Sequence, residues 1–205
     1  MYSSIVGIVL AGGQSRRIGL TKALLPLGES TIIDHVLTPL REVTQNIWII
    51  TNAPEGFRSI GLPIAADIRS GCGALGGIYT GLSVTEAEYS LVLACDMPFV
   101  SADFLSILVE RRYGWDVVIP RGIAGYEPLC AIYSKACLAP ICEQLDQHQF
   151  KIADLLSRVR TNVVDEHEIQ RLGFDGWMFY NINTQAEYEQ ARSMITSKQL
   201  QVSPG

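Results

Sequence analysis

The chain has 205 residues, 48% of them hydrophobic and only 18% charged, which is enough apolar material for one domain with a large core. A net charge of −5 argues against a general nucleic-acid or membrane-surface role, and no stretch approaches the ~20 apolar residues of a transmembrane helix. The five cysteines, Cys72, Cys95, Cys130, Cys137 and Cys142, include no Cys-x-x-Cys pair, so free thiols of a reducing cytoplasm are expected rather than disulfides or a zinc site.

In chain order, Met1 to Gly13 is apolar but has no basic start and runs into Arg16-Arg17, so it reads as a first strand and not as a signal peptide. Ile5-Val6-Gly7-Ile8-Val9 is a short run of buried-strand type. The stretch from Leu10 to Lys22 follows. Gly12, Gly13 and Gly19 break the regular pattern there, and such glycines let backbone N–H groups approach a ligand closely. Arg16, Arg17 and Lys22 lie in the same stretch and the first acid is Glu29, so residues 1–28 carry +3 and the remainder −8. Bare amides beside concentrated positive charge suit a polyphosphate. An ordinary basic loop is the competing reading, and Arg17 and Lys22 together weigh against it. The spacing is neither that of a Walker A loop nor that of a dinucleotide Gly-x-Gly-x-x-Gly.

Glu29 to Leu40 carries Ile32, Ile33, Val36, Leu37 and Leu40 near helical spacing, with Ser30 or Thr31 as N-cap. Ile47 to Thr51 reads as a second strand ending at Asn52, and Ile64 to Ala66 as a short third ending at Asp67. Gly71 to Gly77 reads as a second glycine-rich loop leading into a helix to about Val84. Tyr89 to Cys95 is a strong apolar strand that stops at Asp96-Met97-Pro98. Ser101 begins the next helix, Asp116 to Ile119 and Leu129 to Tyr133 are strands, and Ser134 to Leu145 is a helix. This alternation predicts one α/β domain over residues 1–196, a three-layer, doubly wound and mostly parallel sheet, with a polar tail at 197–205. Ligands of such sheets sit outside the carboxyl ends of the strands, so Gly12, Asn52, Asp67 and Asp96 are expected to converge on one crevice. His35, His148 and His167 show neither metal spacing nor a nucleophile partner.

Asp96 at the end of an apolar strand is costly unless paired or bound to a cation, and Mg²⁺ takes one or two carboxylates with phosphate oxygens. A turn-forming Asp is the plainer alternative, as it is for Asn52 and Asp67. Leu10-Ala11-Gly12-Gly13-x-Ser15-x-Arg17-x-Gly19…Lys22 resembles the signature of nucleotidyltransferases, and most closely that of the molybdenum cofactor guanylyltransferase family. Thr21 stands where that family often has Asp, and Ala74 where it has Pro. The resemblance runs co-linearly from Val6 to about Glu187. It implies a nucleotide-diphospho-sugar transferase-like fold and transfer of GMP from GTP to molybdenum-molybdopterin, with release of pyrophosphate.

By the same resemblance, the backbone of Leu10, Ala11, Gly12 and Gly13 cradles the phosphates, Arg17 and Lys22 neutralise the leaving pyrophosphate, and Asp96 holds Mg²⁺. Asn52 borders the base or the ribose and Asp67 lies in the nucleotide site, where its carboxylate is suited to the adjacent N–H donors of guanine. Glu127 and Pro128 mark the acceptor half. Asn181 and Asn183, in Asn-x-Asn-Thr, border the pterin, with Asn183 or Thr184 capping the next helix. The implied partners are GTP, the molybdenum-loaded acceptor and proteins that deliver or receive the cofactor, in the cytoplasm and without nucleic acid or membrane. The alternatives are a cytidylyltransferase or sugar-1-phosphate nucleotidyltransferase of the same fold, or a GTP-binding adaptor without turnover.

Overall fold

A computed structural model describes the backbone of residues 2, 4–12 and 22–202, with side chains as far as residue 196. β1 (Ile5–Leu10) is buried along its whole length. A 3-10 turn at Lys22–Leu24 leads into a small ribbon of β2 (Pro26–Leu27) and β3 (Ser30–Thr31). α1 (Ile32–Val43) follows, capped by Thr31, whose hydroxyl accepts the N–H of Asp34 while Asp34 accepts the N–H of Thr31. Of the two candidate caps, Thr31 therefore serves and Ser30 belongs to the ribbon.

β4 (Ile47–Ile50), β5 (Ile64–Ala65), α2 (Gly73–Val84), β6 (Tyr89–Ala94) and α3 (Ala102–Glu110) come next. Then come β7 (Val117–Gly122), β8 (Gly125–Tyr126), β9 (Cys130–Ser134), α4 (Leu138–Asp146) and α5 (Ile152–Leu156). The chain closes with β10 (Thr161–Asp165), α6 (Glu166–Arg171) and α7 (Gln185–Val202). α7 continues past the 196/197 boundary expected for a tail, since neither glycine nor proline interrupts the chain before Pro204.

The second glycine-rich stretch is mostly helix and not loop. α2 begins at Gly73, and its glycines bring the helix down onto β1. A Cβ on Gly81 would sit 2.5 Å from Cδ1 of Ile8, and one on Gly77 would sit 3.2 Å from Cδ2 of Leu10. Close helix–sheet packing, more than ligand approach, explains these two positions.

The main sheet runs β10-β7-β9-β6-β1-β4-β5, with β8 hydrogen-bonded to β7. β4, β5 and β6 extend β1 in parallel, and β10 is parallel to β7, but β9 is antiparallel to both its neighbours. Residues alternate across the strands into two cores. Ile5 and Val9 of β1 face α1 and α3, where Val36, Leu40, Phe104 and Leu108 lie. Val6, Ile8 and Leu10 face α2 and α4, with Ile78, Leu82 and Ile141. A third cluster joins Leu27 and Ile32 to Ile182, Tyr188 and Ala191 and so docks α7 on the ribbon. All five cysteines are unpaired, and burial pushes the thiols of Cys95 and Cys137 up to about 12, so both stay protonated. No helix among the described residues is long and apolar enough to cross a membrane.

Candidate active site

β1 sits between β4, reached through α1 on one face, and β6, reached from β5 through α2 on the other. The strand order therefore reverses at the β1/β6 pair, and the crevice outside the carboxyl ends of these strands is where such sheets bind ligands. One row of backbone hydrogen bonds crosses that edge. Cys95 N–H donates to Leu10 O (3.1 Å), Ala11 N–H to Ile50 O (2.9 Å), Thr51 N–H to Ala65 O (2.9 Å) and Ala94 N–H to Leu129 O (2.8 Å). Neighbouring strands lie about 4.8 Å apart, so this row aligns the chain ends that carry Gly12, Asn52, Asp67, Asp96 and the Glu127–Leu129 segment. All of them follow or precede strands at the same edge of the sheet, with Asn52 and Asp67 paired at one place and Lys22, Asp96 and Asn183 at another.

Leu10 is buried at the end of β1, Ala11 is half-buried and Gly12 is exposed. Among the described residues a Cβ on Gly12 would meet nothing within 4 Å. Gly13 and Arg17 lie outside the described residues.

Lys22 is the hub of the site. Its Nζ donates to Asp96 Oδ2 (2.8 Å) and to Asn183 Oδ1 (3.0 Å), and its side chain is only 6% exposed against 17% for Asp96. The sequence places Lys22 on the exposed surface as a phosphate-binding lysine; the structure instead buries it. Burial is tolerated because the charge is paired and two of the three N–H donors have acceptors. The third has no acceptor among the described residues. Asp96 follows β6, and its backbone carbonyl accepts the N–H of Ile182 (3.0 Å), which ties the C-terminal segment to the strand end.

Asn52 and Asp67 pair reciprocally, with Asn52 Nδ2 donating to Asp67 Oδ2 (2.7 Å) and Asp67 N–H donating to Asn52 Oδ1 (2.9 Å). Among the described residues Asp67 Oδ1 accepts no hydrogen bond. The next backbone N–H, of Ile68, donates to the Thr80 hydroxyl (3.0 Å), which anchors the segment to α2.

Glu127 is half-buried, and burial alone pushes its carboxyl up to about 7. Its backbone is fixed by Glu127 N–H to Pro120 O (2.9 Å) and by Cys130 N–H to Glu127 O (3.0 Å), and Pro128 O accepts the hydroxyl of Tyr133 (2.8 Å). The Asn-x-Asn-Thr segment divides its tasks. Asn181 Nδ2 donates to Phe179 O (2.9 Å) and stabilises its own turn, Thr184 caps α7, and Asn183 is the one that reaches Lys22.

Sequence reasoning missed Glu187, although Thr184-x-x-Glu187 has the spacing of a capping box. It also missed the Lys22–Asp96 pair, for which two positions 74 residues apart give no local signal. Among the described residues no group of three or more His, Cys, Asp or Glu side chains could enclose a metal ion. Asp96, with Oδ1 accepting no hydrogen bond from the described residues, fits an ion that takes one carboxylate and completes its shell with phosphate oxygens and water, as Mg²⁺ does.

Residues 7–163 match the model of the MobA-like NTP transferase domain. A probable molybdenum cofactor guanylyltransferase of Pelotomaculum thermopropionicum is 37% identical over 188 residues, 92% of each chain. A molybdenum cofactor guanylyltransferase of Desulfosudis oleivorans is 34% identical, over 94% of this chain and 96% of its own. The crystal structure of molybdopterin-guanine dinucleotide biosynthesis protein A from Archaeoglobus fulgidus superposes with a TM-score of 0.79 at 25% identity, over 94% of this chain and 99% of that one.

Proposed function

The chain belongs to the MobA-like NTP transferase domain family and is a nucleotidyltransferase, and from that premise we propose that it transfers GMP from GTP to molybdenum-molybdopterin. An oxygen of the acceptor's terminal phosphate bonds to the α-phosphorus. The bond from that phosphorus to the α,β-bridging oxygen breaks, and pyrophosphate leaves with the electron pair. Positioning and neutralisation of charge do most of the work in such a transfer.

The observation that carries this reading is the Lys22 ammonium held between Asp96 and Asn183, at the sheet edge where the chain leaves β1 for Gly12. The backbone after β1 receives the triphosphate, with Gly13 and Arg17 completing the cradle. The third N–H of Lys22 donates to a phosphate oxygen whose charge grows in the transition state. Asp96 would hold Mg²⁺, which supplies a Lewis acid for the phosphate oxygens when bound. The free Oδ1 of Asp67 accepts from the N1 and N2 edge of guanine, and the reciprocal bonds with Asn52 fix its angle. Glu127, Pro128, Asn181 and Asn183 border the acceptor, and the surroundings are cytoplasmic, where an unstable cofactor can pass between proteins. The test is pyrophosphate release with molybdenum-loaded acceptor and each of the four nucleoside triphosphates. GTP is expected to exceed the others by orders of magnitude. Equal turnover of CTP defeats the guanine assignment, and tight GTP binding without release makes the protein an adaptor.

A further inference from the structure

Glu187 lies in the first turn of α7 and bonds the backbone that leads into it. Its Oε2 accepts two backbone N–H groups, those of Asn183 and Thr184, each at 2.7 Å. In the opposite sense, Glu187 N–H donates to the Thr184 hydroxyl (3.2 Å). A capping box needs one return bond from the carboxylate, and here there are two. The additional one falls on Asn183, whose side-chain Oδ1 accepts from Lys22 Nζ at 3.0 Å. The N–H groups of Asn183 and Thr184 and the nearby Lys22 charge hold the Glu187 carboxyl below its usual range, so it is ionised at neutral pH and a full-strength acceptor.

We propose that Glu187 is a positioning residue for transfer: through the backbone of Asn183 it fixes the amide that holds the Lys22 ammonium at the reacting phosphates. The chain of contacts runs from Glu187 Oε2 to Asn183 N, through one residue to Asn183 Oδ1, and on to Lys22 Nζ and Asp96 Oδ2. It joins α7 to the nucleotide loop and to the end of β6. The opposite half of the box, Thr184 Oγ1, accepts the N–H of Glu187 and also bonds its carboxylate, but has no bond to Asn183 or Lys22. This inference rests on Lys22 acting at the reacting centre, as described above.

The test compares kcat, KM for GTP and melting temperature in the full-length protein. Glu187→Asp keeps the charge at the helix end but is one methylene too short to reach Asn183 N. Glu187→Gln keeps the reach and an acceptor oxygen. Thr184→Ala removes the hydroxyl but keeps both backbone N–H donors to Glu187 Oε2, that of Asn183 included. Misplacing a reacting-centre group by about 1 Å is worth up to ~10²-fold, so kcat is expected to fall at least tenfold in Glu187→Asp and to recover to within about threefold in Glu187→Gln. KM for GTP is expected to change little in either, because the backbone after β1 holds the donor.

Thr184→Ala is expected to lower the melting temperature at near wild-type kcat. Asn183→Ala combined with Glu187→Asp is expected to be no slower than Asn183→Ala alone, as for groups acting in series. Wild-type kcat in Glu187→Asp, or additive losses in the double variant, overturns the inference and leaves Glu187 a helix cap. Lys22→Ala separates the two levels: a fully active Lys22→Ala defeats the functional reading itself, whereas an inactive Lys22→Ala beside a wild-type Glu187→Asp defeats only the role of Glu187.

Discussion

Lys22 and Asp96 neutralise each other inside the protein, so neither can be removed without consequence for the other. Deleting one partner of a buried pair costs on the order of 3–5 kcal/mol, and the 17% exposure of Asp96 reduces that cost for Lys22→Ala. Asp96→Asn is the cleaner probe, because its amide oxygen still accepts from Lys22 while the negative charge is gone. The variant is expected to fold and to lose turnover by ~10²-fold or more, the scale of one preorganised electrostatic group, with GTP affinity no longer responding to added Mg²⁺. Pyrophosphate release and GTP binding across a Mg²⁺ titration check this, and wild-type behaviour would reduce Asp96 to a turn-former.

Glu127 makes a second prediction, whose sign is unusual for a carboxylate. Its folded value of about 7 lies above the ordinary 4.5, so the folded chain binds more protons in that window and stability falls as pH rises through it. Glu127→Gln removes this contribution. Relative to wild type, the variant is expected to be more stable near about pH 8 than near about pH 5. Parallel denaturation curves at both pH values, with no change in the difference, would show that Glu127 titrates normally.

Among the elements, the two glycine segments look alike in sequence but do different work. Ala in place of Gly inside a helix ordinarily gains about 0.5–1 kcal/mol. At Gly81 the new Cβ would lie 2.5 and 2.8 Å from two carbons of Ile8, and Ile8 is fully buried in the central strand, so overpacking of about 1–3 kcal/mol outweighs the gain. Gly81→Ala is expected to be destabilised. Gly12→Ala meets nothing within 4 Å among the described residues and is expected to keep its melting temperature while raising KM for GTP, since its methyl group would crowd the phosphate cradle proposed there. Thermal unfolding and GTP kinetics of the two variants decide the matter, and the same response in both would defeat the distinction.

Across the whole molecule, a row of backbone bonds along the sheet edge and one docked helix assemble the site. Ile182 is fully buried in the cluster that seats α7 on the ribbon beside Lys22, and the hydroxyl of Tyr188 donates to Pro26 O in that ribbon. Ile182→Ala is expected to cost about 2–5 kcal/mol and to lower turnover even well below the melting temperature, because Asn183 is the next residue. Activity equal to wild type at low temperature would show that the α7 docking is purely structural.

The sequence alone determined most of the parts. Apolar runs marked β1, β4 and β6, the 3.6-residue pattern marked α1, and Ser101 marked a helix start, because each is set by neighbours within a few residues. Gly12, Asn52, Asp67 and Asp96 were legible as strand-end residues for the same reason. β2, β3 and β8 were not, being two residues long and without a period to read, and β10 was not, since Thr161, Asn162 and Asp165 dilute its apolar character. Only the tertiary structure decided that β9 runs antiparallel, that Gly77 and Gly81 serve packing, and that Lys22 is buried between Asp96 and Asn183. Those facts depend on groups up to 161 residues apart. Distance of that kind leaves no trace in local periodicity, because it is fixed by which faces of the sheet the helices cover.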